Sequence, residues 1–180
     1  GAVMLALAWA CWETYVGRPE ADGNRISALE LLGNAFQSNR RYAEALPLLE
    51  VNLSMNRRYF SHSEEAVFFA QSNLAACLGK LGRDNEALVL GREIYAGRMA
   101  TLGVSQNTIM SGSNLTYSLN QARLFGETKA LARDQLLPAA RRLLGFNHCI
   151  TLLLDTNLAV ALFEDPEHTR DDLLEAETIM

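Results

Sequence analysis

The chain is expected to fold as an all-α protein, an α-solenoid of tandem helix-turn-helix repeats wound into a right-handed superhelix. Three observations carry that expectation. The phrase Asn-Leu-x-x-x-Leu begins at Asn73, Asn114 and Asn157, at spacings of 41 and 43 residues. Glu-Ala-Leu begins at Glu44 and Glu86, 42 apart, weakens to Lys129-Ala130-Leu131 and returns as Glu175-Ala176. Leu-Gly joints fall at Leu102-Gly103 and Leu144-Gly145, again 42 apart. Separate phrases keeping one period mark an internal repeat. One such unit cannot bury its own apolar face, so units stack on their neighbours.

The period divides 1–180 into a single array. Residues 1–17 read as the second helix of a truncated unit, followed by units at 22–60, 61–103, 104–145 and, truncated again, 146–180. The run Ala2 to Cys11 is apolar like a signal-peptide core, but no basic residue precedes it and Glu13 closes it short of a membrane span. Counting back sixteen residues from the Val16-Gly17 joint, as Ala87 stands to Gly103, makes it a repeat helix instead, and both ends of the chain read as cut from a longer array.

Helices are expected near 24–38 and 41–58. Pro47 falls early in its helix, where a missing amide costs little if that helix starts near Ala43. In the next unit, Ser61-His62-Ser63-Glu64 has the Ser-x-x-Glu pattern of a capping box. The helix it opens runs to about Lys80, with Ala70, Asn73, Leu74, Cys77 and Leu78 at three- and four-residue steps. Gly79 and Gly82 end it. Asp84 or Asn85 caps its partner, which carries Ala87, Leu88, Ile94, Tyr95 and Met99. Later helices are expected at 106–122, 126–143, 149–163 and 170–180. Pro138 lies inside one of them and predicts a kink or break near Gln135. The joint from Phe163 to Thr169 is longer than its counterparts and marks a surface insertion.

Composition narrows function mainly by exclusion. A 49% hydrophobic content suits a packed core, and the net charge of −5 argues against a nucleic-acid binder, which carries a concentrated basic footprint. The doublets Arg40-Arg41, Arg57-Arg58 and Arg141-Arg142 are widely separated and read as solvated helix faces. Cys11, Cys77 and Cys149 form no disulfide framework and suit a reducing, cytoplasmic setting. His62, His148 and His168 stand at joints in different units. No spacing fits a zinc site, and there is no phosphate-cradling loop or nucleophile elbow. No cofactor, metal or catalytic residue is expected. His148 is expected to cap the helix that follows it.

Leu32-Gly33-Asn34-Ala35-Phe36 followed by Arg41-Tyr42-Ala43-Glu44-Ala45-Leu46 resembles a tetratricopeptide repeat (TPR) unit. Leu144-Gly145-Phe146-Asn147-His148-Cys149-Ile150-Thr151, leading to Asn157-Leu158-Ala159, is similar to the 42-residue repeats of kinesin light chains and their relatives, with Cys149 where their joint has proline. The resemblance spans essentially the whole chain and is specific for the repeat class rather than for kinesin.

That resemblance implies a concave groove lined by the first helix of each unit, with the asparagine of Asn-Leu pointing into it. Carried over, Asn73, Asn114 and Asn157 form a ladder, flanked by Phe69, Met110 and Leu153 and by Ala76, Tyr117 and Val160, with Asn34 continuing the groove in the first unit. A carboxamide both donates and accepts, so it pairs with the backbone of an extended peptide whatever its sequence. The alternative is that each asparagine bonds a neighbouring helix and fixes the stacking. This face carries no cation, which argues against a clamp for a C-terminal carboxylate. The expected function is a non-catalytic scaffold for a protein or peptide partner, without nucleic acid or membrane. The alternatives are a regulatory segment of a larger multidomain protein and self-association through the apolar N-terminal helix.

Overall fold

The computed structural model describes residues 2–61 and 63–179. His62, and with it one member of the expected capping box, lies outside the described residues, as do Gly1 and Met180. The described residues are helical throughout, with no strand. The residues up to Ala87 form one compact unit and those from Leu88 onward a second, the boundary falling inside a helix.

The first unit holds α1 (Ala2–Tyr15), α2 (Gly23–Ser38), α3 (Tyr42–Tyr59), α4 (Glu64–Lys80) and the start of α5 (Asp84–Leu102). Turns of a few residues make successive helices antiparallel, so α2 and α4 run parallel with α3 between them. α1 rests on α2 through the fully buried Ala8, and the Trp9 ring meets Phe36 edge-on at 6.5 Å. Ile26, Leu29 and Met55 form a buried cluster joined by Trp12, Leu48, Tyr59 and Phe60. A Cβ on Gly33 would come within 2.8 Å of Leu49 Cδ2, so glycine is what lets α2 approach α3. Inside this contact the buried Asn52 donates to the Ile26 carbonyl at 3.0 Å, and Asn56 donates to the Asn52 carbonyl at 3.0 Å. The buried Cys77 thiol of α4 reaches the Tyr42 carbonyl of α3 at 3.4 Å.

The second unit holds the rest of α5, then α6 (Gln106–Gln121), α7 (Phe125–Lys129), a π-helical stretch Ala130–Leu136, α8 (Leu137–Leu143), α9 (Cys149–Glu164) and α10 (Arg170–Ile179). Its core gathers Ile109, Leu136, Ile150, Leu154, Leu158 and Leu162 from α6, the π-helical stretch and α9. α10 is tied back by Lys129, which pairs with Asp165 at 2.7 Å and Asp172 at 3.5 Å, and by Arg133, which pairs with Asp172 at 3.3 Å and with Glu175.

The expected helices are all present, and the differences lie in how they begin and bend. α4 starts at Glu64 with Ser63 flanking it and no side-chain cap bond, so Ser61 does not open the helix as a capping box. A capping box does form at α10: Thr169 N–H donates to Asp172 Oδ2 at 3.0 Å, and Asp172 N–H to Thr169 Oγ1 at 3.1 Å. Pro47 is the sixth residue of α3, beyond the amide-free first turn, so Ala43 loses its helical donor. Ala43 is exposed and water can serve its carbonyl. Pro138 does not break its helix. The chain widens before it, with Leu137 N–H bonding the Ala132 carbonyl five residues back, a register that accommodates a residue lacking an amide. A Cβ on Gly112 would meet Leu136 at 2.6 Å, so glycine in α6 makes room for the widened turn.

One terminator recurs with the repeat. Arg40, Gly82 and Arg123 all take positive φ (60°, 74° and 58°) just after the first helix of their units. The next amide in each case, of Arg41, Arg83 and Leu124, reaches back to Phe36, Leu78 and Leu119 respectively, closing a Schellman turn.

Candidate peptide-binding surface

The first-helix face of the first unit belongs to α2 and α4. Gln37 Nε2 donates to the Asn73 carbonyl at 3.3 Å and sets the register of the two helices. Asn34 is half-buried, its Oδ1 at 3.5 Å from Gln37 Nε2. Leu31 and Phe69 stand out from this face, 41% and 49% exposed, and Ala76 is exposed two turns further along α4. The Asn73 carboxamide nitrogen Nδ2 is buried and has no hydrogen-bond partner.

The corresponding face of the second unit belongs to α6 and α9, and the same register bond returns there: Asn120 Nδ2 donates to the Asn157 carbonyl at 2.8 Å. Here the side-chain amide of the asparagine in the Asn-Leu phrase is engaged. Asn157 Nδ2 donates to the Ser113 carbonyl at 3.0 Å and to Thr116 Oγ1 at 2.9 Å, which fastens α9 to α6. Asn114 is exposed, and Met110 packs partly against the core. Tyr117 and Leu153 are 47% and 50% exposed. Beside them, an open cleft of about 550 Å³ lies between α9 and α10, lined in part by Leu152, Thr156, Val160, Phe163 and Ile179.

The three asparagines singled out by their shared phrase are thus in three states. Asn73 has an unsatisfied amide, Asn114 faces solvent, and Asn157 serves packing. Two buried asparagines outside the repeated phrase, Asn52 and Asn120, also bond one helix to another, and Asn56 braces Asn52 within α3.

The joints perform capping work. His148 Nδ1 accepts the Ile150 amide at 3.2 Å and caps α9 as expected, and Thr151 Oγ1 donates to the Gly145 carbonyl at 2.8 Å to close that joint. Cys149 Sγ lies 3.9 Å from the same Nδ1 that the Ile150 amide occupies. The three cysteines are free. Among the described residues no group of three or more His, Cys, Asp or Glu could hold a metal ion, and no helix is long and apolar enough to cross a membrane.

No protein-family model and no curated protein sequence matches the chain. Solved structures do. The nearly identical TPR-like repeats from Podosopora anserina, assigned to a kinesin light chain, align with a TM-score of 0.79 at 19% identity, over 97% of this chain and 84% of that one. A variant of the same repeats aligns with a TM-score of 0.79 at 20% identity, over 97% and 81%. BtubC (BKLC) from P. vanneervenii aligns with a TM-score of 0.78 at 16% identity, over 99% and 70%. At these identities the likeness establishes the fold, which is the TPR-like repeat fold of the kinesin light chain type.

Proposed function

We propose that the chain is a non-catalytic scaffold, working in the cytoplasm, that holds an extended segment of a partner protein in the groove lined by the first helix of each unit. One observation carries the reading. Phe69, Tyr117 and Leu153 sit at the flanking positions of the Asn-Leu phrases and remain about half exposed, whereas the leucines of those phrases, Leu74, Leu115 and Leu158, are buried. Exposed aromatic and aliphatic side chains beside carboxamides give apolar pockets for alternate side chains of a ligand and polar groups for its backbone. Asn34, Asn73, Asn114 and Asn157 would supply the polar groups, and Ala76 and Met110 would complete the pockets.

The test is a selection of displayed peptides on the chain, followed by fluorescence polarisation with Phe69→Ala and Tyr117→Ala proteins of unchanged helicity. Weakened binding by about tenfold or more, the scale of an aromatic anchor, supports the groove. Undiminished binding removes it.

A second reading, self-association, is favoured by α1. Its outer side leaves Val3, Met4 and Leu7 between 54% and 72% exposed, with no charged residue before Glu13. Sedimentation across a range of concentrations would show a dimer that Leu7→Glu abolishes. A monomer at all concentrations rejects this reading.

A further inference from the structure

On the first-helix face of the first unit lies a charged group with nothing to neutralise it. Glu30 sits on α2, half-buried, on the same side as Ser27, Leu31 and Asn34. Among the described residues, no hydrogen bond or ion pair to its carboxylate is found. Burial pushes its carboxyl above the usual range, and no nearby cation opposes that shift. Arg25, a turn away on α2, directs its guanidinium to the Arg18 carbonyl at 2.7 Å, toward the α1–α2 connection. Phe69, Ser72, Asn73 and Ala76, the residues that α4 brings to this face, are uncharged.

The neighbours of Glu30 follow from the register. The Gln37–Asn73 bond fixes α2 against the parallel α4. In the second unit, Asn157 of α9 bonds Ser113 and Thr116 of α6 under the same register bond. By the spacing of the repeat, Ser113 and Thr116 correspond to Glu30 and Gly33. Asn73 is therefore level with the Glu30–Gly33 turn, and Phe69, one turn earlier on α4, lies toward the Glu30 end of it. A half-buried carboxylate, an exposed aromatic ring and an exposed leucine share one short stretch of surface.

An unpaired carboxylate that is partly stripped of water is costly, and a cation that arrives with its own hydrogen-bond donors relieves the cost. An apolar ring beside it suits a side chain that has a long methylene stem and a charged tip, and the ring face itself attracts the cation. We infer that this face takes a basic side chain, Lys or Arg, from an extended stretch of the partner, with its cation on Glu30 and its methylenes along Phe69. The inference rests on the groove reading and narrows it to a partner whose docking segment is basic and apolar. An acidic segment is disfavoured by repulsion from the same carboxylate.

The experiment uses the intact chain and short acetylated, amidated peptides selected on it. The best binder that contains Lys or Arg is measured by fluorescence polarisation beside its Gln-substituted twin, on the unsubstituted protein and on Glu30→Gln. Glu30→Gln preserves shape and removes an unpaired charge, so the helicity should be unchanged. Selected sequences should be enriched in basic residues. Glu30→Gln should weaken the basic peptide about tenfold and leave the Gln peptide unaffected. Glu30→Lys should shift preference to a peptide with Glu at that position. Peptides that lose affinity on Phe69→Ala, yet lack a basic residue or ignore Glu30→Gln, overturn this inference and leave the groove standing. Peptides indifferent to Phe69→Ala, or no binders at all, overturn the groove reading and this inference with it.

Discussion

α4 and α9 hold the same place in their units and carry the same phrase, Asn-Leu, midway along, yet their asparagines do different work. Asn157 spends its amide on two acceptors of α6, whereas Asn73 has a buried amide and no acceptor. The cause lies on the preceding first helix. Where α6 presents the Thr116 hydroxyl, α2 has Gly33, and Gly33 is needed for the approach of Leu49. The role of a repeated residue is therefore set by the residue it faces. A repeat unit is the same sentence read against different neighbours.

The comparison predicts which changes are tolerated. The largest effect is expected from giving α2 the threonine of α6. Gly33→Thr drives a β-branched side chain against Leu49, which is 1% exposed and cannot swing away. Urea denaturation should show a loss of about 3 kcal/mol, at the upper end for overpacking. Thr116→Val keeps the shape in α6 but removes one acceptor of Asn157, and should cost about 1 kcal/mol in the same assay. Unchanged stability there would mean that the Ser113 carbonyl alone fixes α9.

Acid should affect the second unit through Asp172. Its carboxyl is lowered to about 2, first by the Thr169 amide that it caps, then by Thr169 Oγ1 at the reciprocal cap, Arg133 and Lys129. Because the folded value lies below the unfolded one, this stabilisation is complete above about pH 4 and is lost as pH falls toward 2. Asp172→Asn should flatten that part of the stability–pH curve, followed by circular dichroism. The smallest effect is a gain. Arg40 and Arg123 occupy the left-handed position that Gly82 fills in the unit between them. Arg40→Gly and Arg123→Gly should each raise stability by up to about 1 kcal/mol.

The helices and their order were legible because a 42-residue period repeats apolar residues on a helical step, a local signal that survives sequence divergence. The site was legible only in part. Phe69, Tyr117 and Leu153 could be placed on one side of their helices by spacing, and they are exposed there. The division of labour among Asn73, Asn114 and Asn157 was not legible, because it depends on Gly33 and Thr116 across a helix contact. Asn52, Asn56 and Asn120 escaped notice because they stand outside the repeated phrase. The Schellman turns were masked because arginine stands at two of the three left-handed positions. The Thr169-x-x-Asp172 cap was readable from the same pattern that pointed, wrongly, to Ser61. Pro138 announced a disturbance, but its form as a wide turn depends on the space left by Gly112 in another helix.

The most direct test sets Asn73→Ala beside Asn157→Ala, with stability by urea denaturation and peptide binding by fluorescence polarisation measured on both proteins. Asn157→Ala should lose about 2 kcal/mol of stability, since it removes two hydrogen bonds that fasten α9 to α6. Asn73→Ala should change stability by less than about 0.5 kcal/mol, because no bond is broken, and should weaken binding. Equal stability losses, or binding untouched by Asn73→Ala, would contradict the assignment of one asparagine to packing and the other to the partner.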